Sequence, residues 1–160
     1  MPGGMGAVDY FLKIDGIPGE SRDHKHKDEI ELISFSWGLA EPSRSYGGGV
    51  ARPQFNDFQF TMRVNKASPQ LFLATASGKH LKEAMLSVRR AGKDQLEYLK
   101  IKFADVLVTS YQQAGAEEPP AEVVSFAFDR IELEYSQASP QGPPGGSFKA
   151  GWDLSRNLKI

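Results

Sequence analysis

The stretch GESRDHKHKDEIELISFSWG, residues 19–38, joins a charged loop to an apolar run that ends at a glycine. In the second half of this stretch, large apolar residues alternate with Ser34 and Ser36. This two-residue period is typical of a β-strand with one face buried and the other exposed. The stretch therefore predicts a strand over Ile30 to Leu39, preceded by a polar loop over Asp15 to Asp28.

The apolar residues of this strand do not all share one parity. Ile33, Phe35 and Trp37 fall on one face, whereas Ile30 and Leu32 fall on the other. Either the register shifts by one residue between the two groups, or both faces are apolar at the start of the strand.

Alternating apolar residues predict further strands along most of the chain. Two shifts of parity, near Ala104-Asp105 and near Asp129-Arg130, predict bulges or short turns that let a sheet curl or cross to a second sheet. Phe11 is the exception to the alternation of the first strand. The predicted strands are centred on Val8–Ile14, Phe58–Val64, Ala84–Arg89, Leu99–Val108 and Val124–Tyr135.

One helix interrupts the strands, over about residues 68–77. Ser68 suits the N-cap, Pro69 the first helical position and Gly78 the residue after the helix. Because residues 71–76 are apolar on nearly all sides, this helix is expected to pack on the barrel or on a neighbouring subunit. The predicted fold is mainly β: a two-sheet antiparallel β-barrel or sandwich with one short α-helix.

The domain organisation predicted from composition is simple. Residues 1–6 are expected to be disordered, with Met5 as an alternative start, and residues 7–160 are expected to form one domain. No apolar run approaches the roughly 20 residues that span a bilayer, and no basic, apolar leader is present at the N-terminus. Membrane insertion and a cleavable signal peptide are therefore not expected.

Charge and cysteine content narrow the classes of function. Lys and Arg number 19 and Asp and Glu 20, giving a net charge of −1. This balance argues against nucleic-acid binding and permits self-association, because no long-range repulsion opposes it. The absence of cysteine excludes disulfides and thiolate sites.

No catalytic or metal-binding pattern is evident. His24 and His26 lie two residues apart beside Asp23 and Asp28, but the spacing is not that of a recognised metal motif, and a solvated loop is favoured. No nucleophile elbow is present, and Glu117-Glu118 is predicted to lie in a proline-bounded loop without the burial that a catalytic carboxylate pair needs. We predict neither an enzyme nor a cofactor.

Several segments are predicted to be loops. The basic cluster Arg89-Arg90 with Lys93 is interpreted as a solvated turn. The acidic segment Gln112 to Glu122 and the connector Ser139 to Ser147 lack core-forming residues.

The loop from Glu41 to Pro53 has two interpretations. It is either a mobile surface loop or an arm that contacts a partner through residues common at interface hot spots. The candidate residues of this arm are Arg44, Tyr46, Gly47, Gly48, Gly49 and Arg52.

The order of several short motifs resembles the Hcp family of type VI secretion proteins. The resemblance covers roughly Ala7 to Asn157, and no single motif decides it. The motifs are Ala7-Val8-Asp9, Gly19-Glu20-Ser21, Ser36-Trp37-Gly38, Ser68-Pro69, Ser77-Gly78-Lys79-His80, Glu97-Tyr98-Leu99, Val106-Leu107-Val108 and Gly151-Trp152-Asp153.

This resemblance implies a structural protein. Members form hexameric rings that stack into a hollow tube inside a contractile sheath, carry a spike, and are exported from the bacterial cytoplasm. Members similar to this chain also hold small effector proteins in the lumen. The loop Glu41 to Pro53 would reach the next ring, and Ser34 and Ser36 are candidates for the lumen surface because they oppose the apolar face.

Two alternatives remain open at the level of sequence. The first is a solitary β-barrel that binds a small ligand in an enclosed apolar cavity. The second is a secreted hydrolase with a histidine-carboxylate site.

Overall fold

The computed structural model describes residues 8–41, 52–91, 96–116, 118–137 and 145–160. The predicted disordered N-terminus, most of the Glu41 to Pro53 loop, Lys93 and most of the Ser139 to Ser147 connector lie outside the described residues.

The described residues form antiparallel strands and one helix, so the predicted mainly β fold is confirmed. In chain order, the elements are β1 (Val8–Ile14), β2 (Ile30–Leu32), β3 (Ser34–Ser36), β4 (Leu39–Ala40), β5 (Gln54–Phe55), β6 (Phe58–Arg63), α1 (Ser68–Ser77), β7 (His80–Arg90), β8 (Glu97–Ala114), β9 (Ala121–Ala127), β10 (Arg130–Ser136), β11 (Ser147–Asp153) and β12 (Leu158–Lys159).

The long strand β8 organises the fold. Its first half pairs with β10, its second half pairs with β9, and β7 runs beside it from His80 to Arg89. A barrel closes through β8, β7, β1, β2–β3, β6 and β9. Strands β10, β11 and β12 extend the sheet away from this barrel, and we call them the wing. A separate two-stranded sheet pairs β4 with β5.

The predicted strand over Ile30 to Leu39 is three short strands. β2 pairs with β1, whereas β3 pairs with β6. Between them, Ile33 donates its backbone N–H to the carbonyl oxygen of Thr61 at 2.7 Å, and its side chain is exposed. The register shift proposed from the sequence is therefore correct, and its consequence is that the run changes its pairing partner from β1 to β6, which closes the barrel.

The two predicted parity shifts also lie at corners. Asp105 has a positive φ of 55°, at the point where β8 changes its partner from β10 to β9. Asp129 lies in the short turn between β9 and β10. A further irregularity displaces the β8–β9 register between Val108 and Ser110.

Aromatic rings fill the interior of the barrel. The ring centre of Phe58 lies 4.9 Å from that of Phe103 and 5.0 Å from that of Phe126, and all three side chains are fully buried. Each such pair contributes about 1 kcal/mol beyond the area it buries. The interior is thus packed with side chains, whereas a solitary ligand-binding barrel requires a cavity there.

Helix α1 has the predicted length, but it begins differently from the prediction. Ser68 is its first helical residue instead of its N-cap, and Asn65 Oδ1 accepts a hydrogen bond from the Ala67 N–H at 2.8 Å. At the other end, Gly78 follows the helix as predicted, and it has a left-handed conformation with φ of 66°. The helix buries Leu71 and Ala74 against the barrel.

Candidate assembly and cargo surfaces

Ser34 and Ser36 lie on an outward face of the barrel that is built from four strands. The registers of β3, β6, β9 and the second half of β8 align two rows across this face. We call it the hydroxyl-amide face, and none of its eight residues is charged. Its members are Ser34, Ser36, Gln59, Thr61, Ser110, Gln112, Val123 and Ser125.

The hydroxyl-amide face can both donate and accept hydrogen bonds. Serine and threonine hydroxyls and glutamine amides each offer both functions. The row next to Thr61 and Val123 on the same face contains Arg63, which ends the uncharged area on that side. A surface of this kind suits contact with varied polar partners better than recognition of one charge.

The opposite outward face, on β7, the first half of β8, and the wing, is charged. Lys102 Nζ lies 3.6 Å from Glu83 Oε2, and Lys149 Nζ lies 3.2 Å from Glu132 Oε1. These ion pairs are exposed, so each contributes little to stability. The molecule therefore presents two outward sheet faces of different chemistry.

Little of the predicted contact loop lies within the described residues. Arg44, Tyr46, Gly47, Gly48 and Gly49 lie outside them, and their role stays a prediction. Arg52 is exposed, and its Nη1 donates a hydrogen bond to the carbonyl oxygen of Leu154 at 3.1 Å. This bond ties the end of the loop to the turn between β11 and β12.

The polar loop over residues 15–28 folds over the outer side of β1. Phe11, the exception to the alternation of that strand, is buried there instead of exposed. The ring of His26 stacks on it with centroids 4.4 Å apart. His26 is itself buried, with Nδ1 at 2.9 Å from Glu29 Oε1 and Nε2 at 3.1 Å from Glu97 Oε2. The expectation of a solvated loop is wrong for His26, although His24 is exposed.

Arg89 also lies between this loop and β1, and its burial contradicts the prediction of a solvated turn. Only 4% of Arg89 is exposed, so it is not part of a solvated turn. Its Nη1 and Nη2 donate to the two carboxylate oxygens of Asp23 at 3.0 and 2.5 Å, and its Nε donates to Asp9 Oδ2 at 3.1 Å. Its Cζ lies 4.9 Å from the ring centre of Phe11.

The contacts between Arg89 and Asp23 favour the charged forms of both side chains. Hydrogen bonds from Arg89 hold the pKa of Asp23 well below its usual range, although burial acts in the opposite direction. The same bonds raise the pKa of Arg89. We call His26, Arg89 and their four carboxylate partners the loop clamp.

A second polar cluster joins α1 to the barrel. Glu122, predicted to lie in an acidic loop, belongs to β9 and is fully buried. Its carboxylate accepts hydrogen bonds from Ser68 Oγ at 2.6 Å, from Gln113 Nε2 at 2.6 Å and from Tyr111 Oη. Burial and the bond to Glu122 raise the pKa of Tyr111 to about 12. The loop predicted over Gln112 to Glu122 is thus only the short link between β8 and β9.

Comparison with known proteins decides the family. The profile of the family described as "Type VI secretion system effector, Hcp" matches residues 11–135. Protein hcp1 of Pseudomonas aeruginosa is 36% identical over 160 residues, a match that covers 96% of this chain and 99% of that protein. The chain belongs to the Hcp family.

Solved Hcp structures have the same fold. Hcp1 from Salmonella typhimurium matches with a TM-score of 0.84 and 39% identity, covering 96% of this chain and 99% of that one. A type VI secretion system effector from Yersinia pestis matches with a TM-score of 0.77 and 35% identity, covering 91% of this chain and 100% of that one. Hcp is a secreted, structural component of type VI secretion and not an enzyme family.

Within the described ranges, no three histidine, aspartate or glutamate side chains converge in a way that could hold a metal ion. His24 and His26 are not brought together as a pair, because His26 points into the loop clamp. No described helix has the length and apolar character needed to cross a bilayer.

Sequence reasoning missed the two buried clusters of this Hcp chain. The one available signal was Phe11, an apolar residue on the polar side of β1, which indicated that something covers that side. Glu122 gave no comparable signal, because its position beside two prolines is typical of a solvated loop.

Proposed function

We propose that this chain is the subunit of the type VI inner tube, closing with copies of itself into a hexameric ring. Rings stack into a hollow tube within the contractile sheath, carry the spike, and are exported with it. The observation that carries this proposal is the family match, which extends over 96% of the chain at 36% identity. Repeated contacts between two different surfaces close naturally into a ring.

We further propose that the hydroxyl-amide face lines the lumen and holds small effector proteins. Ser34 and Ser36 are its exposed members on β3. Uncharged hydroxyls and amides hydrogen-bond to a polar cargo without the strong desolvation cost of fixed charges. This chemistry supports reversible loading better than the ion-paired face does.

The loop from Glu41 to Pro53 is proposed to contact the next ring. Arg52, at its end, donates a hydrogen bond to the Leu154 carbonyl, which anchors this end of the loop to the turn between β11 and β12. Cysteines engineered in this loop and on the facing ring surface should crosslink stacked rings and leave separate rings unlinked.

Ring formation is tested by mass and by imaging. Light scattering should give a mass near six times the chain mass of 17.6 kDa, and negative-stain images should show toroids. A chain that remains a single subunit at every concentration and salt condition would contradict the proposal. The ring is expected to form in the bacterial cytoplasm and to leave through the type VI machine.

The lumen assignment has a separate test that uses the absence of cysteine. Ser36→Cys should react in the ring with a small maleimide but not with a maleimide carried on a bulky dendrimer. Lys102→Cys, on the charged outward face, is the matched control and should react with both. Equal labelling of Ser36→Cys by the two reagents would show that this face is outside the lumen.

A further inference from the structure

His26 is a buried titratable side chain to which the proposed function gives no role. Only 6% of the residue is exposed. Its two ring nitrogens each face a carboxylate oxygen, since Nδ1 lies 2.9 Å from Glu29 Oε1 and Nε2 lies 3.1 Å from Glu97 Oε2. These two carboxylates are themselves largely buried, with 15% and 22% of their side chains exposed. Water therefore has little access to either contact.

The two contacts together require a particular protonation of the ring. An ionised carboxylate only accepts hydrogen bonds, and a neutral imidazole has one N–H to donate. Both contacts are hydrogen bonds at the same time only when both nitrogens of His26 carry a proton. In a neutral ring, the unprotonated nitrogen would face a carboxylate oxygen, and two lone pairs would oppose each other in a buried site.

The charges around His26 favour the same protonation. Arg89 of β7 is the one permanent cation of the loop clamp, and two of the four carboxylates bind it. The four carboxylates are those of Asp9 in β1, Asp23 and Glu29 in and beside the polar loop, and Glu97 in β8. The neighbouring His24 and Lys25 are exposed. A proton on His26 therefore supplies a second positive charge, placed between the other two carboxylates.

The two contacts of His26 differ in what holds the partners together. Glu29 is only three residues away, and its backbone N–H donates to the His26 carbonyl oxygen at 3.2 Å, so these two residues stay close whatever the state of the ring. Glu97 lies 71 residues away in β8, and the contact with it joins side chains only. Its carboxylate is also the more exposed of the two. Loss of the ring proton should therefore break the contact with Glu97, whose carboxylate can turn toward water.

We propose that His26 is a proton-dependent tether between the polar loop over residues 15–28 and strand β8. While both ring nitrogens are protonated, the ring links Glu29 to Glu97 and this part of the loop is closed over Phe11. As pH rises and the ring loses a proton, the Nε2 contact opens and the loop detaches from β8 at His26. The bonds between Arg89 and Asp23 still hold the loop at Asp23. The tether belongs to a single chain and does not depend on ring formation.

The protonation of His26 is measured by the ¹⁵N chemical shifts of the histidine rings from about pH 5 to about pH 9. His24 and His80 are exposed and serve as references in the same chain. At the acidic end, both ring nitrogens of His26 should have the shifts of an imidazolium, and Nε2 should lose its proton as pH rises. A ring that stays neutral throughout would overturn the proposal, because a protonated carboxyl group would then supply the second hydrogen. A ring that keeps both protons throughout would overturn it as well.

Opening of the loop is measured by hydrogen exchange of its amides, corrected for the intrinsic effect of pH on exchange. The amides of Asp28 and Glu29 donate to the carbonyl oxygens of Ser21 and His26 at 2.9 and 3.2 Å. Their protection should fall about tenfold, the factor expected for loss of one hydrogen bond to a charged group. The midpoint of this fall should match that of the His26 titration, and the amides of β6 should show no such fall. Unchanged protection of the loop while the ring loses its proton would overturn the proposal.

One conservative variant separates the tether from a general effect of pH. In Glu97→Gln, the side-chain amide keeps its size and can donate to the unprotonated Nε2 of His26. The loop of this variant should stay closed after the ring has lost its proton, so the fall in protection should disappear. Glu83→Gln, which alters an exposed carboxylate beside Lys102, is the matched control and should behave as the parent chain does.

A fall in protection of the same size in Glu97→Gln and in the parent chain would overturn the role of Glu97. All variants are compared at equal mass by light scattering, so a failure to form rings is recorded separately. Such a failure would count against the proposed function and leave the tether to be judged by its own measurements.

Discussion

Removing the guanidinium of Arg89 is expected to destabilise the chain strongly, although this residue lies on the outer side of the sheet. Arg89→Met keeps much of the apolar stem but deletes the bidentate bond to Asp23 and the bond to Asp9. It leaves Asp23, whose side chain is only 16% exposed, without its cation. Breaking a buried ion pair on one side typically costs about 3–5 kcal/mol.

The lower end of that range applies here, because Asp9 is more than a third exposed and can return to water. We therefore expect the free energy of unfolding to fall by about 3 kcal/mol. For a chain of this length, that corresponds to a fall of roughly 6–12 °C in Tm. The matched control is Lys102→Met, which removes an exposed ion pair with Glu83 and should cost less than about 1 kcal/mol.

Urea unfolding, followed by the fluorescence of Trp37 and Trp152 at one fixed protein concentration, measures these changes. The double variant Asp23→Asn/Arg89→Met should be less destabilised than the sum of its single variants by about 1.5 kcal/mol. A coupling energy below about 0.5 kcal/mol would refute the conclusion that the pair acts as a unit.

The pH dependence of the unfolding free energy provides a second test of the Asp23–Arg89 pair. The pKa of Asp23 is lowered in the folded chain, so its contribution is complete above the unfolded-state pKa and is lost as pH falls through the acidic range. The stability difference between the parent and Arg89→Met should therefore shrink below about pH 4. A constant difference down to the acid limit would contradict this assignment.

Two further predictions concern single positions. The pKa of Tyr111 is raised to about 12. Tyr111→Phe should therefore leave the rise in phenolate absorbance between about pH 9 and 11 unchanged. A smaller rise in the variant would show that Tyr111 titrates in the usual range. A Cβ added at Gly19 would lie 2.5 Å from the backbone oxygen of Glu29, so Gly19→Ala should cost about 3 kcal/mol in urea unfolding. The control Gly16→Ala, with φ of 80° but no neighbouring atom within 4 Å, should cost only about 1 kcal/mol, and equal costs would argue against the clash.

The barrel could be predicted from the sequence because its apolar residues repeat locally. The alternation of Phe58, Phe60 and Met62 specified which side of β6 is buried, and all three are in the core. The parity shift at Ile33 marked the point where the pairing partner changes from β1 to β6. Because the two-residue period of side chains sets which face of a strand is buried and how the strand pairs, local patterns in the sequence predicted the sheet.

The buried polar clusters could not be predicted, because their partners are distant in sequence. Asp23 lies 66 residues from Arg89, and Ser68 lies 54 residues from Glu122. An isolated charged residue is usually exposed, and only a specific set of partners makes its burial favourable. A local repeat in the sequence carries no information on partners that are distant along the chain. A prediction from charge alone therefore placed Arg89, His26 and Glu122 in solvent, whereas all three are buried.

The buried Glu122 cluster also explains how a short helix stays ordered on the barrel. A helix of ten residues is marginal on its own in water. Here its first residue, Ser68, donates directly to the Glu122 carboxylate of the barrel, and Leu71 is buried beneath it. The outer residues Phe72 and Leu73 are consequently held in place on the surface of the barrel. Glu122, a buried carboxylate that is costly to keep in the core, therefore has a structural role, because its hydrogen bond with Ser68 fixes α1 on the barrel.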